Sequence, residues 1–198
     1  RSEALRARLG YKPDEIVPLF FGRLVLEKGL GLFAETIARL RSQGLAVRPM
    51  IVGDGPARDW IARRLPNATF MGLLEGSELG QAVASADLLI NPSVTEAFGN
   101  VNLEAMASGL GVVSADVASA SALIDHERTG LLVPARDAGA YAAAAARLIG
   151  EPVRLRLLGR AASDAADRFR WDEILAEVAR VYERVARRES VPALAKVA

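Results

Sequence analysis

Cysteine is absent from this 198-residue chain, and histidine occurs once, at His126. The first absence excludes disulfides, zinc–thiolate centres and cysteine nucleophiles, and it fits a reducing compartment. The second makes a histidine metal cluster implausible. His126 is flanked by Asp125, Glu127 and Arg128 and reads as an exposed loop residue with no catalytic role. A dominant charge is also missing: 25 Lys and Arg stand against 24 Asp and Glu. No global field therefore favours nucleic acid or an anionic membrane, and any anion site must be local. No apolar run approaches the roughly 20 residues of a spanning helix, and no secretory leader is recognisable. The chain opens on Arg1 rather than Met, as a piece of a longer polypeptide would.

What is present is a core-forming composition, 51% hydrophobic and 25% charged, sufficient for one domain with a helical tail. Apolar runs at residues 16–21, 47–52, 68–71, 87–90, 112–115 and 130–133 read as strands. Helix-period segments at 30–42, 57–64, 77–84, 101–108 and 120–125 lie between them. That alternation predicts an α/β fold, a Rossmann-like parallel sheet with helices on both faces. After Pro134 the pattern is helical only. Asp137 reads as an N-cap, residues 142–146 are an alanine run, a segment covers 152–169, and Asp172 opens a last helix with Trp171 as its packing anchor. The expected division is a linker or helix over 1–15, a Rossmann-like domain over 16–170, and a C-terminal helix and tail over 171–198.

In such sheets ligands bind beyond the carboxyl ends of the strands, so the chemistry belongs to the loops that follow them. Four are unusual: Gly22 to Gly29, Gly53 to Pro56, Gly72 to Leu74, and the segment around Phe98 and Gly99. Glu96 and Glu104 stand eight positions apart, one on the crossing loop and one inside the following helix. Gly99 lets the backbone approach a ligand where free N–H groups collect at a helix start, which suits a phosphate, and a carboxylate one turn on can grip a sugar diol. Helix-dipole complementation alone would also place glutamates there. Only three lysines occur, and Lys28 is the one in a strand-to-helix loop, five residues after Arg23, where the two can hold a diphosphate. Gly29, Gly31 and Ala34 fit the loose dinucleotide pattern G-x-G-x-x-A, with Asp54 as a ribose-binding acid, which keeps a nicotinamide reading open. Asp-x-Asp is absent, as is any carboxylate cluster spaced for a divalent ion.

Taken in order, GRLVLEKG, VGDGP, SADLLINPSVTEAFGNVNLEAMASG and TGLLVP resemble the carboxyl-terminal half of a GT-B glycosyltransferase of family 4, and FRWDEI resembles that family's closing helix. The resemblance implies one half of a two-domain enzyme that retains anomeric configuration and needs neither a protein-held metal nor another cofactor. It implies that Arg23 and Lys28 bind the donor diphosphate, that Glu96 faces the transferred sugar, and that Glu104 holds the ribose hydroxyls. Phe98, Gly99 and Asn100 would line the phosphate and sugar pocket, and Gly22, Gly53, Gly55, Leu73 and Val101 would border the nucleotide. The implied partners are a nucleoside diphosphate sugar and an amino-terminal acceptor domain. Nucleic acid is not expected, and membrane association stays open. The expected location is the cytoplasm, or the cytoplasmic face of a membrane reached through the other half. Two departures stand out: Gly111 where the family usually has Pro, and Ala118, Ser119 and Ala122 in place of a Gly-Gly-x-x-Glu-like loop. Besides transfer, a non-catalytic nucleotide-sugar-binding module and a dinucleotide-binding domain remain as readings.

Overall fold

The computed structural model describes residues 2–187; Arg1 and residues 188–198, which include Lys196 and the end of the expected tail, lie outside the described residues. Six parallel strands form the sheet: β1 (Pro18–Phe21), β2 (Met50–Val52), β3 (Thr69–Gly72), β4 (Leu88–Asn91), β5 (Gly111–Ala115) and β6 (Leu131–Val133). Their order is β3-β2-β1-β4-β5-β6. The chain works outward from β1, then returns to lay β4 on its other side, so the direction of winding reverses between β1 and β4. Loops leaving those two strands diverge to opposite faces and open a crevice between them.

Strand alternation supplies a core on both sides of the sheet. Phe20 and Ile51 face one way, toward Phe33, Ile37 and Leu40 of α2 (Leu30–Ser42), Ile61 of α3 (Arg58–Arg64) and Tyr141 and Leu148 of α7 (Ala138–Gly150). Leu19, Phe21, Met50 and Val52 face the other, toward Val83 of α4 (Gly76–Ala84) and Ala105 and Met106 of α5 (Asn100–Ala107). Helix α8 (Pro152–Ala166) packs on α5, so tightly that a Cβ on Gly159 would lie 2.1 Å from the Gly109 carbonyl oxygen.

The structure departs from expectation in three places. In place of the helix expected over 120–125 stands a shorter one set earlier, α6 (Ala118–Ser121), and Thr129 Oγ1 captures the Asp125 N–H at 2.8 Å as the chain turns. The last helix, α9 (Trp171–Ala186), starts at Trp171 and is not capped by Asp172, whose carboxylate instead accepts from the Arg170 guanidinium. Trp171 is 73% exposed and anchors no core. With Leu175, Val178, Tyr182 and Val185 it forms an apolar stripe along α9, uncovered among the described residues. The 3.5-residue spacing of that stripe suits packing against another element. None of the described helices is long and apolar enough to cross a membrane.

The first residues are docked at the amino end of the sheet. Helix α1 (Glu3–Arg8) is capped by Ser2, whose hydroxyl accepts the Leu5 N–H. Its Arg6 donates to the Ser85 carbonyl and the Asp87 carboxylate, both at 3.0 Å, and to the Glu15 carbonyl. The two charged side chains are 3% and 7% exposed, so replacing Arg6 takes from the buried Asp87 carboxylate, which also accepts the Val17 N–H at 2.7 Å, the guanidinium that faces it. Arg6→Met should therefore cost about 3 kcal/mol. Urea unfolding should show a lower midpoint at unchanged slope; an unchanged midpoint would mean that Asp87 finds its stabilisation elsewhere.

Candidate functional site

The carboxyl ends of β1, β2 and β3 are tied together by backbone bonds. Gly22 N–H donates to the Val52 carbonyl at 3.0 Å, and Gly53 N–H donates to the Gly72 carbonyl at 2.7 Å. Gly53 adopts φ +123°, and a Cβ there would lie 2.0 Å from the Gly22 carbonyl oxygen, so only glycine lets the second loop close on the first. Leu24 then donates to the Asp54 carbonyl and accepts from Ala57, which fixes both loops as one wall.

Above that wall lies a cleft of about 490 Å³. Gly22, Arg23, Gly53 and Leu73 line it from the strand-end loops, and Val101 and Glu104 from α5. These six residues, scattered over eighty positions, are among those expected from sequence to surround a nucleotide. Leu74, from the loop singled out in the sequence, completes the apolar part of the lining together with Phe21, Val52 and Leu79, which were not anticipated. A second cavity of about 420 Å³ shares Glu104 and is lined by Phe98, Asn100, Leu103, Phe169, Trp171 and Ile174. Gly55 does not reach the cleft lining. It stands behind, where a Cβ would lie 2.5 Å from the Leu24 carbonyl oxygen.

Lys28 and Glu96 meet across the crevice. Lys28 Nζ lies 2.7 Å from Glu96 Oε1, and the side chains are 21% and 18% exposed. One residue comes from the loop after β1, the other from the loop after β4. Their loops also touch through backbone, since Gly29, at φ +79°, leaves room for Pro92, whose Cγ would be 2.8 Å from any Cβ there. Arg23 is mostly in solvent, with Nη2 at 3.4 Å from Glu27 Oε1. An ion pair this exposed holds Arg23 weakly and leaves it able to swing to a ligand.

Helix α5 begins at Gly99, which has φ +94° and offers no side-chain cap. The Gly99 carbonyl takes the Leu103 N–H, and the amides of the first turn have no helical acceptor. They form a natural seat for an anion. Beneath this turn runs a buried polar chain that sequence reasoning missed. Asn91 Nδ2 donates to Asn102 Oδ1 at 2.9 Å, and Asn102 Nδ2 donates to Ser114 Oγ at 3.1 Å. Tyr141 donates its hydroxyl to the Asn91 carbonyl at 3.2 Å, and burial pushes that phenol well above its ordinary pKa. The only sequence cue was a polar residue ending the apolar run of β4 and another interrupting the buried face of α5.

Glu104 is exposed at the mouth of the cleft, yet protein on either side strips part of its hydration. That desolvation raises its carboxyl above the usual value. An unpaired carboxylate in such a place is a good acceptor for two hydroxyl groups. Among the described residues no three His, Asp or Glu side chains gather as a metal site. The glycines of the dinucleotide-like pattern are used inside the fold, Gly29 against Pro92 and Gly31 toward Trp60. His126 also has a structural task, its Nδ1 accepting the Leu132 N–H. The Ala118 to Ala122 departure is α6 and its C-cap, and its Ser119 carbonyl backs Gly99. At Gly111 the room a side chain would need is taken by Leu155 of α8.

The family model described as Glycosyl transferases group 1 matches residues 15–151. The chain is 33% identical over 199 residues to D-inositol 3-phosphate glycosyltransferase of Streptomyces bingchenggensis, covering 93% of this chain and 44% of that protein. It is 31% identical over 177 residues to sulfoquinovosyl transferase SQD2 of Arabidopsis thaliana, covering 86% and 34%. It thus spans less than half the length of these curated relatives. Among solved structures, sucrose-phosphate synthase from Thermosynechococcus elongatus superposes with a TM-score of 0.81 at 28% identity, covering 95% of this chain and 50% of that one. HepE of Anabaena in complex with UDP superposes with a TM-score of 0.81 at 26% identity, covering 92% and 53%.

The raised Glu104 pKa makes stability depend on pH with a definite sign. The unfolded chain loses this proton first as pH rises, so the folded form holds more protons through the interval between the two values. Stability contributed by Glu104 is full below the unfolded value and falls as pH passes the folded one. Glu104→Gln should remove that fall, leaving the variant more stable than the parent at pH 7 but not at pH 3.5. Thermal unfolding at both pH values checks this, and an equal difference at the two would contradict it.

Proposed function

Because the chain belongs to the group 1 glycosyl transferases, matched over residues 15–151, we propose that it is the donor-binding part of a retaining glycosyltransferase of family 4 that takes a nucleoside diphosphate sugar. The observation that carries this reading is the convergence at one crevice of an apolar cleft with Glu104 at its mouth, the capless start of α5, and the facing pair Lys28 and Glu96. Relatives lend support: HepE has been solved with UDP and with UDP-glucose. In this reading the base lies against Leu73 and the ribose diol bonds to Glu104. Gly22, Gly53, Gly55 and Val101 shape the nucleotide border. The diphosphate rests on the amides of Phe98, Gly99 and Asn100 between Arg23 and Lys28, and Glu96 faces the sugar.

The chemistry follows from the charges. As the bond from the anomeric carbon to the β-phosphate oxygen breaks, negative charge grows on the leaving diphosphate. Arg23, Lys28 and the α5 amides stabilise it there. The acceptor hydroxyl attacks the same face of the anomeric carbon and passes its proton to the departing phosphate oxygen, which leaves configuration retained and requires no enzymic nucleophile. No resident metal or cofactor enters the proposal. Nucleic acid is no partner in it, consistent with the balanced charge of the chain.

The acceptor face is proposed to belong to a companion region. Support comes from the length of the relatives, of which the chain covers 44% in the Streptomyces case, and from the uncovered stripe on α9, which such a region would bury. On this reading residues 16–170 are the donor domain, against which α1 of the preceding segment docks, and the chain alone binds donor while transferring little. A cytoplasmic site of action is part of the proposal, with any membrane contact left to the companion region. Helix α6, which stands where the family usually presents a glycine-rich acidic loop, favours a second reading in which the same pocket binds nucleotide sugar without turnover.

Calorimetric titration with UDP-, GDP- and ADP-sugars should give saturable binding of at least one; a folded sample that binds none would sink the proposal. Lys28→Ala should weaken binding of the matching nucleoside diphosphate about tenfold, the scale of one charge-assisted contact. Glu96→Gln should act oppositely and tighten it, because the Lys28 ammonium is then no longer held by a competing carboxylate. Weaker binding of the diphosphate to the Gln variant would show that Glu96 does not compete. Joined to its companion region, the parent should transfer sugar and both variants should lose that activity. Transfer that survives in both variants removes their assigned roles, and absence in the parent favours the second reading.

A further inference from the structure

The rotation of α5 about its own axis decides where Glu104 and the first-turn amides point, and apolar packing fixes it poorly. The face turned to the sheet carries only Asn102, Ala105 and Met106 as buried side chains, while the apolar Val101 and Leu103 sit partly in solvent. A helix with its apolar residues spread in this way has no strong preference for one rotation. Directional bonds supply it. Asn102, in the first turn and 1% exposed, accepts from Asn91 at the end of β4 and donates to Ser114 near the end of β5. Asn91 and Ser114 are direct partners in the β4–β5 register, so Asn102 is held by both sides of one rung of the sheet.

The Asn91 amide does a second task. Its Oδ1 accepts the Ser93 N–H at 3.1 Å, which fixes the start of the loop that carries Glu96. Its own carbonyl is secured from the other face of the sheet by Tyr141. Above, the Asn102 amide packs under Gly99, with Nδ2 at 3.6 Å from where a Cβ would be. At two positions along a helix, about 200° of rotation separates Asn102 from Glu104, so one points at the sheet while the other faces the cleft. Every polar atom of the two amides used here is buried, and losing a partner leaves the other unsatisfied.

We propose that Asn102, held between Asn91 and Ser114, is a positioning residue for donor binding: it sets the rotation of α5 and thereby aims the amides after Phe98 at the distal phosphate. This rests on the donor-binding reading above. Neither Asn102 nor Ser114 touches the ligand, and both act through Gly99 and Asn100. The expected signature is selective. Loss of the bond should weaken a nucleoside diphosphate more than the matching monophosphate, because Leu73 lies off α5 and the Glu104 side chain can follow a small rotation through its own torsions, whereas the first-turn amides move rigidly with the backbone.

The experiment compares Asn102→Ala and Ser114→Ala with the parent, and with Leu40→Ala, a core truncation in α2 away from the site. Each protein is titrated calorimetrically, well below its unfolding temperature, with UDP, GDP and ADP and their monophosphates, and thermal unfolding is recorded alongside. The diphosphate Kd should rise about fivefold or more in both polar variants, the scale of one hydrogen bond, with the monophosphate Kd moving less than about twofold. Leu40→Ala should lower the unfolding temperature and leave the diphosphate-to-monophosphate ratio alone. Should Asn102→Ala fail to fold, Ser114→Ala, which deletes one hydroxyl, decides by itself. An unchanged ratio in the polar variants, whatever their stability, overturns the positioning role while leaving the functional reading intact. A parent that binds no diphosphate overturns the functional reading, and the positioning role falls with it.

Discussion

The pairing of β4 beside β1, with the chain winding away in opposite directions from the two, is the constraint on which the rest depends. It separates the loops after those strands and leaves a crevice at the carboxyl end of the sheet. Lys28 and Glu96, 68 residues apart, can meet only because their strands are neighbours. The closing of Gly53 on Gly22 adds the wall that turns a crevice into a cleft. Side chains at the amino end do different work. There Arg6 and Asp87 bury opposite charges and fasten α1.

At the carboxyl end the groups are held in a compromise. The Lys28 ammonium is satisfied by a carboxylate, and the α5 amides face outward with no side-chain cap. On the proposed reading a diphosphate offers oxygen acceptors to both at once, so its arrival exchanges one ion pair for several charge-assisted bonds. The same proposal then leaves Glu96, freed from Lys28, for the sugar hydroxyls. Glu104 stays apart from this exchange, and its partial desolvation costs stability in return for an unpaired acceptor at the cleft mouth. Such local cost within an otherwise well-packed domain is what a binding site requires.

Much of this was legible in the sequence because strand-end loops advertise themselves. All six apolar runs became strands within a few residues, and Gly22, Arg23, Gly53, Leu73, Val101 and Glu104 did come to line one cleft. Lys28 stood out as the lone lysine in such a loop. What it binds in the free protein was not legible, since a contact across 68 residues depends on which strands are neighbours. The Asn91, Asn102 and Ser114 chain stayed hidden for a related reason: asparagine and serine usually mark surface and turns, and burial becomes evident only when three elements are stacked. Trp171 misled because a large apolar residue ahead of an acidic one has the form of a stapled helix entry, whereas its side chain lies outside the described core.

A nucleoside diphosphate sugar is proposed to bind at the carboxyl ends of β1 and β4, and backbone amide NMR of the chain titrated with UDP-, GDP- and ADP-sugars would show where it sits. With the sugar nucleotide that binds, the largest shifts should fall on Gly22, Leu73, Phe98, Gly99 and Asn100, while amides at the amino end of the sheet stay in place. Shifts gathered instead around Val47, Arg48 and Asn67, which line a separate depression of about 380 Å³ there, would contradict it.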